Sequence, residues 1–531
     1  MRVRRLDLRE RHLRRAAVAA IGAAVVVSAG LAGAAQASTA HHSVARSTAH
    51  SINTSGTITI GSTTPPSTLD PATSTSGDDY TYLYYVFDRL INRNIKTGLL
   101  QPMLATSWKF VGKKKLEMVV DLRHGVTFQD GTPLNAQAVV TFSKTFIKNG
   151  DAGNDLQYVT NITADGQYTV IYHLSQQNAQ LPNGLADRAG MIPSPTAVAK
   201  EGKAFGTDPV GAGPYKFVSE VAGASYDFTR YDGYWNNANE PRVQNVDFKI
   251  FQSDTSLLSA IRSGDVNIAQ SVYPQDVATL KSDSNLDVAS GPNVTFNLAY
   301  FDGAKAPMNN QDIRLAFNLA LNRKAIMDAA TDGLGQVWTE AQPHGTLGYV
   351  KSLDPLWKYD PSRAKKLVQE SGDAGDANIT CLEYPGYGYE ITAPIIIAEE
   401  KAVGINVTIQ PGPASAVTPF FTNKSDAQCY LAYGSGGGNP YYSYLGLWSK
   451  AYYNAGKTNF GVDTYYAKLF TTYTDAGEQK LFYDINKDQI TDPGYAMLYA
   501  APAINVYAKN IGGWIISPLD LDNWQGLYYK G

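Results

Sequence analysis

The sequence predicts an α/β protein built of two lobes, and three observations lead to this expectation. The chain has 531 residues, which is more than one hydrophobic core normally organises. Short strand patterns mix with helix patterns over residues 57–290, and they alternate with helices again over residues 378–434. Between these two sets, from about Gly291, longer helix patterns with capping signals take over. Two α/β lobes are therefore expected.

Within the first set, residues 122–142 join a strand, a tight turn and a helix. Asp130-Gly131 is a strong turn dipeptide, and Thr132 is the predicted cap of the helix that follows. Apolar residues at helical spacing place one face of this helix on a core; they are Ala138, Val139, Phe142 and Phe146.

In two further stretches, strand patterns and helix patterns alternate with the segment lengths typical of α/β units. A strand at 246–251, a helix that stops at Gly264 and a strand at 265–270 predict a parallel βαβ unit. The second set repeats the alternation, with helices starting at 309–312 and at Asp360-Pro361 and strands at 378–384, 405–410 and 427–434.

The first 37 residues have the pattern of an export signal. Seven arginines precede an Ala/Val/Gly-rich stretch at 16–35, and Ala35-Gln36-Ala37 offers small residues for cleavage. The arginine pairs permit a twin-arginine route as well as the general one, and an uncleaved anchor helix is the alternative to cleavage. Residues 38–55 are rich in Ser, Thr, Ala and His and are interpreted as a flexible tether.

Charge and cysteine content bear on location and partners. Seven of the 45 basic and two of the 48 acidic residues lie in the signal, so the chain after Ala37 has a formal net charge of −8. This charge argues against nucleic acid or an anionic membrane as the partner. A lipid-anchored receptor needs a cysteine directly after the signal, and Cys381 and Cys429 both lie far from it. A lipoprotein is therefore not expected. We expect an exported protein, in a periplasmic space, in the cell envelope or secreted.

Seven segments resemble one known family in their amino-acid sequences and in their order along the chain. They are QPMLATSW at 101–108, LRHGVTFQDGTPLNAQAVVTF at 122–142, VGAGPYKF at 210–217, YDGYWN at 231–236, LLSAIRSGDVNIA at 257–269, QDIRLAFNLALNRKAI at 311–326 and YDPSRAKKLVQESG at 359–372. Together they resemble the family 5 extracytoplasmic solute-binding proteins, the oligopeptide and dipeptide receptors of ABC importers. The resemblance implies capture of an oligopeptide and delivery to a membrane permease and its ATPase, by a monomer that needs no cofactor or metal.

The resemblance also implies the architecture: a hinged, type II periplasmic-binding-protein-like fold with a small domain inserted in the first lobe. Hinge crossings are expected near Ser290 and Ala503, and the ligand cleft between the lobes. The expected boundaries are 56–95, 180–290 and 504–531 for lobe I, 96–179 for the inserted domain and 291–503 for lobe II.

The loop YGSGGGNPYYSY at 433–444 departs from the family's pattern. Peptide-binding members have a motif resembling W-x-A-D here, whose Asp pairs with the ligand's α-amino group; we place that Asp on Gly438 and the Trp on Ser435. Without the carboxylate a buried ammonium lacks its usual partner, so an oligosaccharide or another neutral solute is the alternative ligand. A flexible turn without ligand contact is the structural alternative. The candidate ligand-binding residues are Tyr433, Ser435, Gly436, Gly438, Asn439, Tyr441, Trp338 and Tyr80.

An enzyme is the competing class, because secreted chains of this size are often hydrolases. Ser362 and Lys365 match S-x-x-K, and residues 96–98 match K-T-G, but their order is the reverse of that in penicillin-recognising serine enzymes. Ser362 follows Asp360-Pro361 in a first helical turn, which explains it structurally. We therefore expect no enzymatic activity.

The two cysteines predict a disulfide. Both lie in the exported portion, where oxidation is the default. Cys381 and Cys429 belong to the first and third of three strands, and the first of three becomes central when the strand order reverses, so the two would be neighbours. Two buried free thiols are the alternative.

Overall fold

The structure, a computed structural model, describes residues 55–74, 76–149, 155–239, 241–373, 375–435, 440–441, 443, 454–457, 462–517 and 526–530. The signal and the tether, except Ser55, lie outside the described residues. In the described part of the chain no helix is long and apolar enough to cross a membrane.

The strands follow in chain order. They are β1 Thr57–Ser62, β2 Ile91–Arg93, β3 Leu100–Pro102, β4 Ala105–Val111, β5 Glu117–Leu122, β6 Val159–Asp165, β7 Thr169–Leu174, β8 Tyr215–Val221, β9 Ser225–Arg230, β10 Asn245–Ile250, β11 Ile268–Ala269, β12 Leu286–Phe301, β13 Gln336–Val337, β14 Asn378–Glu383, β15 Asn406–Pro411, β16 Cys429–Ser435, β17 Tyr495–Ala508, β18 Ile511–Gly512 and β19 Tyr528–Tyr529.

The α-helices are distributed over both halves of the chain. They are α1 Tyr80–Val86, α2 Ala136–Asn149, α3 Leu181–Gly184, α4 Pro195–Glu201, α5 Asp254–Ser263, α6 Val277–Lys281, α7 Gln311–Ala320, α8 Arg323–Thr331, α9 Pro361–Glu370, α10 Tyr389–Val403, α11 Ala414–Phe421, α12 Val462–Leu469 and α13 Asp475–Gln489.

One sheet runs through both lobes. Its order, among the described residues, is β15-β14-β16-β12-β17-β11-β1-β10-β9-β8, with β13 paired to β17. β12 and β17 are antiparallel strands of 16 and 14 residues at the middle of this order. On one side of this pair lies lobe I, and on the other lies lobe II. The lobes are therefore joined through two long neighbouring strands.

The ladder between β12 and β17 is interrupted where the lobes meet. Pro292 and Pro502 are register partners, and pairing resumes at Phe296 after a register shift. Neither proline has an amide hydrogen to donate, so this stretch is held by fewer backbone hydrogen bonds than the strands on either side. The predicted crossings at Ser290 and Ala503 lie within two residues of the proline pair.

Lobe I contains the expected parallel βαβ unit, formed by β10, α5 and β11. Its two strands both run parallel to β1 and lie on either side of it. Ser253 caps α5 by accepting the Ser256 amide at 3.3 Å, and Gly264 ends the helix in the left-handed region at φ 81°.

The small domain is the four-stranded sheet β4-β5-β7-β6 with α2 packed on it. The predicted apolar face of α2 is confirmed, because its four residues are buried in this core. The core also includes residues outside 96–179, namely Ala72, Leu90, Ile91, Leu181, Leu185, Ala186, Ala189, Ile192 and Ala212. The inserted domain and lobe I thus share a continuous core on this side.

The predicted cap of α2 is wrong. Thr132 lies four residues before the helix, and its hydroxyl donates to Asp130 Oδ1 at 2.6 Å within the turn. Asn135 precedes the first helical residue, and its Oδ1 accepts the Ala138 amide at 3.0 Å. The turn therefore engages the threonine, and the asparagine takes over the capping role.

Candidate functional site

The strand order of lobe II contains a reversal at one end of the sheet. β14 runs parallel to β15 on one side and to β16 on the other, although the chain visits them in the order β14, β15, β16. The order therefore reverses at β14, which makes the carboxyl ends of β14 and β16 a topological switch point. In open α/β sheets such a switch point is the usual place for a ligand.

Three tyrosines form a platform at this edge, and we call Tyr384, Tyr387 and Tyr433 the tyrosine platform. Tyr387 and Tyr433 stack at 4.0 Å between ring centroids with planes 11° apart. Tyr384 meets both rings edge-on, at 5.7 Å and 5.6 Å. Tyr433 is 38% exposed, so the stack offers aromatic surface to a ligand.

Neighbouring strands hold the Tyr387 backbone in place. Its carbonyl accepts from Asn297 Nδ2 at 3.3 Å and from the Tyr499 hydroxyl at 3.4 Å. Gly388 follows at φ 75°, a conformation that favours glycine, and α10 begins directly after it. The buried Tyr389 hydroxyl then donates to the Ala432 carbonyl on β16. The loop after β14 is thus fixed to β12, β16 and β17.

Carboxylates adjoin the platform in sequence or act on it electrostatically, and one of them, Asp78, belongs to lobe I. The pKa of Glu383 is raised by burial and by Glu390. Burial also raises the pKa of Tyr387, and the neighbouring phenols and Asp78 add to the increase. Because Asp78 lies two residues before α1 in lobe I, this electrostatic effect acts between the two lobes.

A second electrostatic effect also acts between the lobes, from Glu390 on Tyr273. The pKa of Tyr273, a 46% exposed residue of lobe I, is raised by burial first and then by Asp254 and Glu390. Glu390 lies in the first turn of α10 in lobe II. The platform and its acids therefore face lobe I.

The predicted site residues have different positions in the structure. Tyr433 belongs to the platform, whereas Ser435 ends β16 as the register partner of Thr295. Tyr441 is buried in lobe II, stacked on Tyr466 at 5.3 Å. Gly436, Gly438 and Asn439 lie outside the described residues.

Trp338 is 1% exposed and packs inside lobe II, with its Nε1 donating to the Gln342 carbonyl at 3.0 Å. In this conformation it presents no surface to a ligand.

Tyr80 lies half-buried in lobe I, in contact with a guanidinium and a second tyrosine ring. The Arg188 guanidinium lies 4.2 Å from the ring centroid, and the Tyr84 ring stacks at 5.5 Å. The Tyr80 hydroxyl donates to Asp187. Arg89 continues the stack, 4.3 Å from the Tyr84 ring. Tyr80 therefore belongs to this stack, and its contact with a ligand stays a prediction.

The sequence analysis missed Tyr384, Tyr387, Glu383, Glu390 and Asp78. The first four belong to EYPGYGYE at 383–390, between a predicted strand and a predicted helix. A loop at the carboxyl end of a parallel strand, rich in tyrosine and glycine, is a signal that could have identified them.

The two enzyme-like motifs have structural roles. Ser362 lies in the first turn of α9, where Asp360 Oδ1 accepts the Arg363 amide at 2.9 Å. Lys96 and Thr97 lie in the β2–β3 turn, and both amides donate to Asn94 Oδ1.

Two α/β lobes, joined at a strand pair and facing each other across a crevice with exposed aromatic rings, define a hinged solute-binding protein. Residues 100–456 match the bacterial extracellular solute-binding proteins, family 5. The chain belongs to this family, whose members are receptors of ABC importers.

Individual relatives are more distant. The chain is 24% identical over 438 residues to the glutathione-binding protein GsiB of Escherichia coli O1:K1, covering 79% of this chain and 84% of GsiB.

Solved structures show the same fold. The ABC transporter substrate-binding protein CtaP of Listeria monocytogenes superposes with a TM-score of 0.80 at 22% identity, over 90% of this chain and all of CtaP (100%). DppA of Helicobacter pylori, in complex with the peptide STSA, superposes with a TM-score of 0.72 at 19% identity, over 90% of this chain and 99% of DppA.

Proposed function

We propose that this receptor captures a short peptide between its lobes and delivers it to an ABC permease and its ATPase. The observation that carries the proposal is the tyrosine platform at the switch point of lobe II, facing Asp78 of lobe I. The similarity to DppA, solved with a peptide, and to GsiB, named for glutathione, supports this class of solute.

The acids around the platform favour a peptide over a neutral sugar. A peptide with a free amino terminus carries an ammonium group, which tyrosine faces and carboxylates both attract. Glu383, Glu390 and Asp78 are the carboxylates available near the platform, and Glu390 is exposed. They supply negative charge on the cleft even though Gly438 occupies the position of the family's aspartate.

An oligosaccharide receptor is the second candidate, since exposed tyrosine rings also stack on sugar faces.

We further propose that residues 1–37 are a cleaved export signal, that the mature protein carries no lipid anchor and that it acts as a monomer. The lobe boundaries given above belong to the same proposal.

A thermal-shift screen tests the ligand class. Tri- and tetrapeptides, their N-acetylated forms and neutral oligosaccharides are added to the protein from residue 38 onward. A ligand that binds the native state alone raises the melting temperature. We expect free-amine peptides to give the largest increase; an increase with oligosaccharides alone would replace the first candidate by the second.

A further inference from the structure

A chain of four hydrogen-bonded side chains crosses from lobe I to lobe II, and we call Arg93, Asn183, Gln180 and Glu478 the latch. Arg93 Nη2 donates to Asn183 Oδ1 at 2.8 Å, and Asn183 Nδ2 donates to Gln180 Oε1 at 2.8 Å. Gln180 Nε2 donates to Glu478 Oε1 at 2.7 Å. Glu478 lies on α13 in lobe II, whereas the other three precede the first crossing.

All four residues of the latch are buried. The Arg93 guanidinium also donates to the Gly98 carbonyl at 2.9 Å, and Gln180 Nε2 lies 3.2 Å from the Leu469 carbonyl. Buried polar groups that lose their partners cost free energy. The latch therefore stabilises only an arrangement in which these surfaces of the two lobes touch.

The latch belongs to a wider contact between the small-domain side and lobe II. The Ala179 amide donates to the Phe470 carbonyl at 2.8 Å, and the Phe470 ring packs on Tyr158 at 5.3 Å. Nearby, Tyr473 packs on Phe110 at 4.9 Å, and the Lys115 ammonium lies 3.7 Å from the Tyr473 ring centroid.

Rotation about the β12–β17 crossing would separate this contact. It consists of side-chain packing, side-chain hydrogen bonds and two backbone bonds, from the Ala179 amide to the Phe470 carbonyl and from the Leu347 amide to the Thr97 carbonyl, whereas the crossing consists of two continuous strands. In a hinged protein the contact is thus made and broken, and the hinge persists.

We propose that Gln180 and Glu478 act as positioning residues that hold the lobes shut, and that opening exposes the Glu478 carboxyl and ionises it. The inference rests on the hinge of the proposed function and is independent of the solute's class. It makes the shut fraction of the receptor depend on pH.

The electrostatics give the direction of this dependence. Burial raises the pKa of Glu478 from its ordinary 4.5 to about 7; Asp475 on the same helix adds to the increase, while the Gln180 hydrogen bond and Arg93 from β2 oppose it. In the open state the exposed carboxyl regains its ordinary pKa. Closure therefore takes up a proton. The free energy by which Glu478 favours the closed state is fully present below about pH 4.5 and is lost as pH rises through about 7.

Solution scattering of the ligand-free protein, from about pH 5 to about pH 9, tests the proposal. We expect the radius of gyration of the wild type to increase with pH over this range. Glu478→Gln keeps an acceptor for Gln180 and cannot ionise, so its radius should stay at the compact value throughout. Gln180→Ala should give the larger radius already at low pH.

Glu340→Gln is the matched control. Burial also raises the pKa of Glu340, to about 8, but its carboxylate accepts from the Val350 amide and from Asn486 within lobe II. This variant should show the wild-type dependence of the radius on pH.

A wild-type radius that does not change with pH would overturn the proposal, and so would a Glu478→Gln radius that follows the wild type. Circular dichroism of each variant establishes that it is folded. If a variant does not fold, the dependence of the wild-type radius of gyration on pH still decides the proposal. Because no ligand is added, either result leaves the choice between peptide and oligosaccharide untouched.

Discussion

At the scale of single residues, Tyr433 is the most direct test of the platform. Its ring stacks on Tyr387 and is 38% exposed, so Tyr433→Ala should remove ligand contact at little cost to the fold. Loss of one aromatic contact of about 0.5–1.5 kcal/mol corresponds to roughly two- to tenfold weaker peptide binding. Calorimetric titration with the best peptide of the screen measures this change.

Tyr359→Ala is the control for this substitution. Tyr359 is 52% exposed and precedes α9 in lobe II, outside the platform. Equal losses of affinity in both variants would show that the platform does not contact the ligand.

A substitution at Gly438 tests the loss of the aspartate that pairs with the ligand's α-amino group in peptide-binding members of the family. Gly438→Asp would restore the carboxylate, so we expect stronger binding of free-amine peptides relative to N-acetylated ones. If the wild type already prefers the free amine strongly, another acid serves the ammonium, and Glu390→Gln should then reduce that preference. Paired titrations with each peptide and its acetylated form give the ratio.

At the scale of elements, the pairing of β14 with β16 bears on the cysteines. Cys381 and Cys429 are register partners on these strands, with Cα atoms 4.4 Å apart, and the structure joins their sulfurs. The bond links the strand before the platform loop to the strand that carries Tyr433. It therefore fixes two parts of the proposed site relative to each other.

Thiol titration of the denatured, unreduced protein tests this disulfide. We expect no free thiol per chain, and two would reject the bond. Replacing both cysteines by alanine should lower the free energy of unfolding by about 3–4 kcal/mol, less any strain, because the closed loop spans 48 residues. The unfolding midpoint in denaturant, with and without reductant, measures this.

Local signals explain which elements could be predicted from the sequence. The central place of β14 followed from three strands separated by helices, and the end of α5 followed from Gly264. The cap of α2 could not be chosen correctly, because Thr132 and Asn135 both suit a cap and only the folded turn engages the threonine. Tyr80 and Trp338 stay predictions as ligand contacts; the sequence did not show that Trp338 is buried or that Tyr80 stacks with Arg188 and Tyr84.

At the scale of the whole molecule, the two lobes could be predicted but the continuous sheet could not. β12 and β17 pair residues about 200 positions apart, such as Leu286 with Ala508, and such register is fixed only when the chain folds. The predicted crossings fall beside the Pro292–Pro502 pair, where the ladder is weakest. The latch also escapes prediction, because Gln180 and Glu478 are 298 residues apart and neither has a motif.

Capture of a solute by closure of the lobes is the central claim, and solution scattering with ligand tests it most directly. The protein from residue 38 onward is measured at about pH 9, where the latch is expected to be open without ligand, alone and with a saturating amount of the peptide that gives the largest thermal shift. Closure about the β12–β17 crossing predicts a smaller radius of gyration with the peptide. An unchanged radius at saturation would contradict the claim.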